Sequence, residues 1–409
     1  MKTIVMLGDG MADVAVPALG GRTPLEAAHK PTMDTLARQG RCGMARTVPR
    51  GMPPGSDTAN LSVMGYDPKV YYRGRSPLEA VSMGIPLGPR DIALRCNLVT
   101  LSGEAELAET RLLDYCADEI STPEAEALIR AVGAQLGLEG VELHSGISYR
   151  HCLVLRDTLW DPGIDLGQVG CTPPHDIIGQ PVAGHLPEGA FAAALSGIIA
   201  ASRQVLADHP VNAERVRHGL NPGNACWLWG AGTAPAMTSF EEKYGVRGGV
   251  ISAVDLVKGI GLCAGLEAPA VPGATGNIDT DFKAKGRYAL AGLLGGWDFV
   301  SIHVDAPDES GHRAAPENKV AAIERIDSDI LAPLLDGLRE AGEACRVLLM
   351  PDHPTPLHLR THTADPVPFV LWDSEEAGAL SKSHAPNPHA DCYTEAACAA
   401  TGLYVDQGY

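Results

Sequence analysis

The chain opens with an almost unbroken apolar run, Thr3 to Leu7, that stops at Gly8-Asp9-Gly10, and the same pattern returns at Phe299 to Val304 and at Arg346 to Met350. Short runs without alternation predict strands buried on both faces, and Ala225 to Trp229 and Pro368 to Leu371 read the same way. Helical periodicity separates them, at Pro31 to Gln39, Val320 to Gly337 and Asp391 to Thr401. Strands alternating with helices predict an α/β core, with a mostly parallel sheet covered by helices on both faces.

The middle of the chain has a different texture. After an apolar run at Asn97 to Leu101, Ser121-Thr122-Pro123-Glu124 combines an N-cap, a first-turn proline and an acid, which predicts a helix to about Leu136. Alternating stretches follow at Val141 to His144 and Ser148 to Leu155, then an Ala-rich helix from about Gly189 to Ala207. This predicts a smaller inserted α+β cap domain over 112–217, with the core domain formed by 1–111 and 218–409 and Asn221-Pro222-Gly223 marking the return to the core sheet.

Composition narrows the function classes. A net charge of −18 repels nucleic acid and anionic membranes, so a small-molecule substrate is expected, and any cluster of cations or metal ligands gains meaning in so acidic a protein. The ten cysteines contain no C-x-x-C pair and give no disulfide framework. The apolar run Ile4 to Leu7 is too short for a signal peptide, so the cytoplasm is the expected compartment.

Three of the predicted strands end in acids or histidines. Asp9 follows the first, Asp305-Ala306-Pro307-Asp308 through His312 follows the run ending at Val304, and Asp352-His353 follows the run ending at Met350. An isolated Asp-Gly is usually only a tight turn, but ligands of an open parallel sheet bind beyond the carboxyl ends of its strands, so these residues are placed to converge. Asp308 and His312, four apart, share one face of a helical turn and suit one ion. Asp352 and His353 are adjacent, which predicts side chains that point apart, and His362 precedes the last apolar run. Mixed carboxylate and imidazole donors suit Mn²⁺ or Zn²⁺, with Mg²⁺ less suited to the His-rich position.

Pro53-Pro54-Gly55-Ser56-Asp57-Thr58 is rigid, then permissive, then capping, and it predicts a helix beginning near Thr58 with Ser56 or Asp57 as its cap. Ser56 would be an ordinary capping residue in isolation. Beside a divalent cation its hydroxyl becomes a candidate nucleophile.

Taken together, these residues and their contexts resemble the archaeal-type cofactor-independent phosphoglycerate mutases and their bacterial relatives in the alkaline phosphatase superfamily. The phrases that carry the resemblance span nearly the whole chain and include Gly21-Arg22-Thr23-Pro24-Leu25-Glu26-Ala27, Gly55-Ser56-Asp57-Thr58-Ala59, Pro173-Pro174-His175-Asp176-Ile177, Glu242-Lys243-Tyr244-Gly245 and Ala306-Pro307-Asp308-Glu309. The resemblance implies an alkaline-phosphatase-like core and two divalent ions, Mn²⁺ first and Zn²⁺ or Mg²⁺ as alternatives. It places Asp9, Ser56, Asp352 and His353 around one ion and Asp308, His312 and His362 around the other, with Asp305 behind them. Ser56 would carry the phosphoryl group, Lys243 would offset charge on it, and Arg75, Arg150 and His151 would bind the substrate.

Gly8-Asp9-Gly10-Met11-Ala12-Asp13 and the phrase around Ser56 are similar to a bacterial branch of the family that includes proposed homoserine kinases. The expected reaction is interconversion of 3-phosphoglycerate and 2-phosphoglycerate. The alternative is transfer from a nucleotide to homoserine, although the chain has no Walker-type phosphate loop.

Overall fold

The computed structural model describes residues 1–159, 169–376 and 390–408. The described strands in chain order are β1 (Lys2–Gly8), β2 (Arg41–Ala45), β3 (Ile92–Leu101), β4 (Leu112–Asp114), β5 (Val141–His144), β6 (Arg150–Leu155), β7 (Ala225–Thr233), β8 (Gly248–Ile251), β9 (Phe299–Val304), β10 (Cys345–Met350), β11 (Val367–Asp373) and β12 (Tyr404–Val405). The chain forms two compact units, Met1–Tyr72 with Met237–Tyr409, and Arg73–Ala236.

The first unit is built on a seven-stranded sheet in the order β12-β2-β11-β10-β1-β9-β8. Its centre is parallel: β1 pairs with β10 on one side and β9 on the other, and β8 continues beside β9. Only β11 runs against its neighbours. All six residues of β9 are buried, as an apolar run covered on both faces requires. Ile4, Met6, Ile302 and Val347 from the strands pack with Leu36, Phe282 and Ile323 from the helices. The helix predicted over Val320 to Gly337 is longer and interrupted: Pro316–Arg325 and Ala332–Glu340 flank a π turn at Ile326–Leu331. Pro333 has no N–H to give the preceding turn, so the regular ladder breaks there.

The second unit has an antiparallel sheet, β4-β3-β6-β5, with β7 also on β3. Helices Thr122–Leu136 and Ala192–Leu206 cover it with Leu128, Ile129, Leu195 and Ile199. Ser121 and Glu124 close a capping box on the first of these helices.

Two expectations about the division of the chain differ from this arrangement. The run Ala225 to Trp229 was expected in the core sheet, but β7 pairs with β3, with Asn97 opposite Trp227 and Leu98 opposite Cys226. The inserted unit is also wider than 112–217, because β3 pairs with both β6 and β7 and so draws both flanks into the same sheet. An apolar run records that a strand is buried, not which strand it pairs with.

Candidate metal centre and nucleophile

Parallel pairing brings three strand ends level. Leu7 is opposite Met350 and Gly8 is opposite Val304, so Asp9, Asp305 and the Asp352-His353 pair leave the sheet at one edge. Gly10 lets the chain turn away immediately. Its φ is +60°, and a Cβ there would lie 2.6 Å from Asp308 Oδ1.

Asp9, Asp352 and His353 form one buried group, with His353 Nε2 at 3.5 Å from Asp9 Oδ1 and 3.6 Å from Asp352 Oδ2. The expectation that Asp352 and His353 diverge therefore fails at their tips, since the bend after β10 folds the imidazole back over its neighbour. Ser56 Oγ lies 3.1 Å from the same Nε2. Ser56 is not a cap: the helix Ser56–Val63 begins at Ser56 itself, Gly55 precedes it without a side-chain cap, and Asp57 accepts from the N–H of Thr58. The serine hydroxyl is left facing the histidine.

A second group joins it. Asp308, in the helix Ala306–His312, lies 3.1 Å from His312 Nε2 and 3.4 Å from His362 Nε2, and the two imidazole nitrogens are 3.0 Å apart. The seven residues expected to surround the two ions thus form two groups, each linked within itself by contacts of 3.0–3.6 Å, and the ring centroids of His353 and His362 lie 4.1 Å apart between them.

The donor set fits divalent cations. His312 Nδ1–H donates to the carbonyl of Arg360 at 2.9 Å, which turns a bare Nε2 inward once the ring is neutral. Thr355 does the same for His353: its hydroxyl donates to Asp308 Oδ1, and its oxygen faces His353 Nδ1 at 3.4 Å. Both oxygens of Asp9, which is 1% exposed, are buried without a hydrogen-bond partner among the described residues. Orphaned carboxylate oxygens are costly unless a cation accepts them.

Charge follows the same logic. Burial, reinforced by Asp352, Asp308 and Asp305, pushes Asp9 well above the usual carboxylate range. Burial also opposes ionisation of Asp308, but hydrogen bonds from His312 and His362 outweigh it and hold that carboxyl well below the usual range. The hydrogen bond to Asp308 pushes His312 up to about 9, against burial. Asp305 is raised to about 7, mainly by burial and then by Asp308.

A pH dependence follows. Below pH about 9 the metal-free protein keeps a proton on His312 that an incoming cation must displace, so apparent metal affinity rises with pH through that range. Titrating Mn²⁺ calorimetrically at pH 7.5 in two buffers of different ionisation heat should show at least about one proton released per chain. No release would remove His312 from the ligand set.

Several positioning residues carry no clear motif. Asn60 Nδ2, one helical turn after Ser56, donates to the Ser56 carbonyl and to Asp352 Oδ2, both at 2.9 Å. Its spacing from Ser56 was visible in the sequence. Thr355 and the Arg360 carbonyl had no comparable signal.

Other expected residues stand apart in their contacts. Lys243 donates to the Gly65 carbonyl and lies over the rings of Tyr66 and Tyr244. Arg75, in the second unit, pairs with Glu79 at 2.8 Å, and Glu79 also holds Arg95 at 2.9 Å. Arg150 and His151 are neighbours on β6 and face opposite sides: Arg150 is exposed, while His151 is buried, accepts from the Gly146 N–H, and is lowered by burial to about 3.

A family profile described as 2,3-bisphosphoglycerate-independent phosphoglycerate mutase matches residues 37–212. A protein of that name from Methanothrix thermoacetophila is 50% identical over 377 residues, which cover 91% of each chain. The chain belongs to this family. Within it, a Geobacter sulfurreducens protein named as a probable member is 48% identical and covers all of this chain and 98% of its own. The cofactor-independent phosphoglycerate mutase of Thermoplasma acidophilum has a similar fold, with a TM-score of 0.63, 26% identity, and coverage of 100% of this chain and 97% of that one. The fold of this chain is therefore shared with a member of the family.

Proposed function

We propose that this chain interconverts 3-phosphoglycerate and 2-phosphoglycerate by passing the phosphoryl group through Ser56. Asp9, Ser56, Asp352 and His353 would hold one divalent ion, and Asp308, His312 and His362 the other. When bound, the ions offset negative charge that develops on the attacking and leaving oxygens of an in-line displacement. The mixture of carboxylate and imidazole donors favours Mn²⁺, with Zn²⁺ or Mg²⁺ as alternatives.

Ser56 Oγ attacks phosphorus as the bond to the substrate's 3-oxygen breaks, and the serine proton ends on that oxygen. The glycerate then reorients. Its 2-hydroxyl oxygen attacks the phosphoserine, the bond to Ser56 Oγ breaks, and the hydroxyl proton returns to Ser56. The carbon skeleton and the phosphate count are unchanged, so no bisphosphate cofactor is consumed. Lys243 is the proposed offset for charge on the phosphoryl oxygens, and Arg75, Arg150 and His151 are the proposed contacts to the glycerate. Of these three, the exposed Arg150 is the best suited to reach a ligand.

The observation that carries the proposal is the delivery of the Ser56 hydroxyl to His353 Nε2 at 3.1 Å, inside the Asp9 and Asp352 group. The kinase alternative has no comparable support, since the similar proteins carry mutase names. The site implies a small phosphorylated substrate, and a cytoplasmic location is consistent with it: no described helix is long and apolar enough to cross a membrane.

A coupled assay without added 2,3-bisphosphoglycerate tests the reading. Protein loaded with Mn²⁺ should form 2-phosphoglycerate, chelation should abolish turnover, and restoring Mn²⁺ should recover it. Phosphohomoserine formed from homoserine and ATP, with no mutase activity, would keep the centre and replace the substrate. Unchanged turnover after exhaustive chelation would overturn the metal assignment.

A further inference from the structure

The mechanism leaves one buried histidine unused. His303, in β9, is fully buried, and its Nε2 lies 3.0 Å from Asp9 Oδ2. The other oxygen of Asp9, Oδ1, faces His353. His303 Nε2, like both Asp9 oxygens, has no hydrogen-bond partner among the described residues, so in the metal-free protein this pair stands close without a formed bond.

The far side of the ring is also partnered. The Val254 N–H donates to Ser252 Oγ at 3.0 Å, and the same oxygen lies 3.3 Å from His303 Nδ1. Ser252 Oγ keeps a second lone pair and its own proton, so it can partner either tautomer; the ionised Asp9 carboxylate opposite Nε2 can only accept, which places the imidazole proton on Nε2 in the metal-loaded protein. Lys285 Nζ, also fully buried, donates to the His303 carbonyl at 3.2 Å and fixes the main chain beneath the ring.

We propose that His303 is the positioning residue of Asp9: in the metal-loaded protein its Nε2–H donates to Asp9 Oδ2 and presents Oδ1 to the ion shared with Asp352 and His353. A hydrogen bond from outside the ligand set fixes a ligating carboxylate and tunes its affinity for the metal. His303, Asp9 and Asp305 also lie close enough to suggest a third cation position. The observations favour the positioning role, because the Nε2 proton occupies the lone pair a ligand needs, and the buried ammonium of Lys285 is already the local positive charge. The proposal rests on Asp9 being a metal ligand.

Calorimetric Mn²⁺ titration of wild type, Asp9→Asn, His303→Leu, His303→Gln and Ser252→Ala tests both layers. Wild type should bind two ions. His303→Leu should still bind two, one of them roughly 10- to 100-fold more weakly, and His303→Gln, which keeps an N–H donor, should recover most of that loss. Ser252→Ala should weaken the same site to a lesser degree. Wild-type affinity in His303→Leu, or in Ser252→Ala if the leucine variant does not fold, overturns the proposal. So do three ions in wild type falling to two in His303→Leu, which would make His303 a ligand. An unaffected Asp9→Asn variant would instead overturn the underlying metal assignment. Melting of the metal-free variants separates a merely structural role, which would lower their stability without changing affinity in the metal titration.

Discussion

Ser56→Ala should keep the fold and at least most of the bound metal, yet lower turnover in both directions by roughly 10³-fold or more, because it removes the hydroxyl proposed to carry the phosphoryl group. The side chain is small, partly exposed, and does not cap its helix, so its removal costs little structure. The informative readout is covalent: wild type quenched in acid during turnover should contain phosphate on the peptide spanning Ser56, and the alanine variant should not. Retained isomerisation in Ser56→Ala would rule out transfer through this serine. Loss of turnover with no trapped phosphate in wild type would leave Ser56 with a binding role only.

The largest effect on stability is expected directly behind the candidate site. Lys319 and Asp13 form an ion pair at 2.7 Å with both side chains fully buried. The same ammonium donates to the Thr355 carbonyl at 2.8 Å, and Asp13 accepts from the Leu357 N–H at 3.1 Å. The pair therefore ties the segment that follows Asp9 to the segment that follows His353. Lys319→Met would leave a carboxylate buried without its cation, a change that costs about 3–5 kcal/mol. Adding Asp13→Leu should return a substantial part of that loss, because an apolar pair replaces a broken one. Denaturant unfolding of the two variants checks both steps. A loss below about 1 kcal/mol for the single variant would mean that water or a shifted proton relieves Asp13.

Local chemistry was the most legible part of the sequence. Pro31–Gln39, Val141–His144 and the helix ending at Leu136 agree with the predicted boundaries, because prolines and a capping box mark helix starts and alternation marks strands. The convergence of the candidate ligands was legible because acids and histidines directly after buried strands are unusual and the parallel topology carries them to one edge. Partner choice was not. Ala225 to Trp229 is apolar enough for any buried strand, and its pairing with β3 depends on residues more than a hundred positions away. His303 was also missed, since an apolar strand with Ser301 and His303 on one face carries no motif, only a polar alternation inside a strand whose every position is buried. Thr355 and Lys319 act through contacts that no local spacing encodes.

The order in which the chain emerges during synthesis gives the sheet of the first unit a further meaning. β1, β2 and β8 do not pair with one another; each waits for β9, β10, β11 or β12. The second unit has all five of its strands by Thr233. A growing chain can therefore complete the inserted sheet while the first apolar strand, already made, still has no neighbour. Asp9 and Ser56 precede the second unit in the chain, and the last of their companions, His362, comes some 300 positions after Ser56. The unit that holds the candidate site closes after the inserted one, and until then β1 is an unshielded hydrophobic edge for which the nascent chain needs protection.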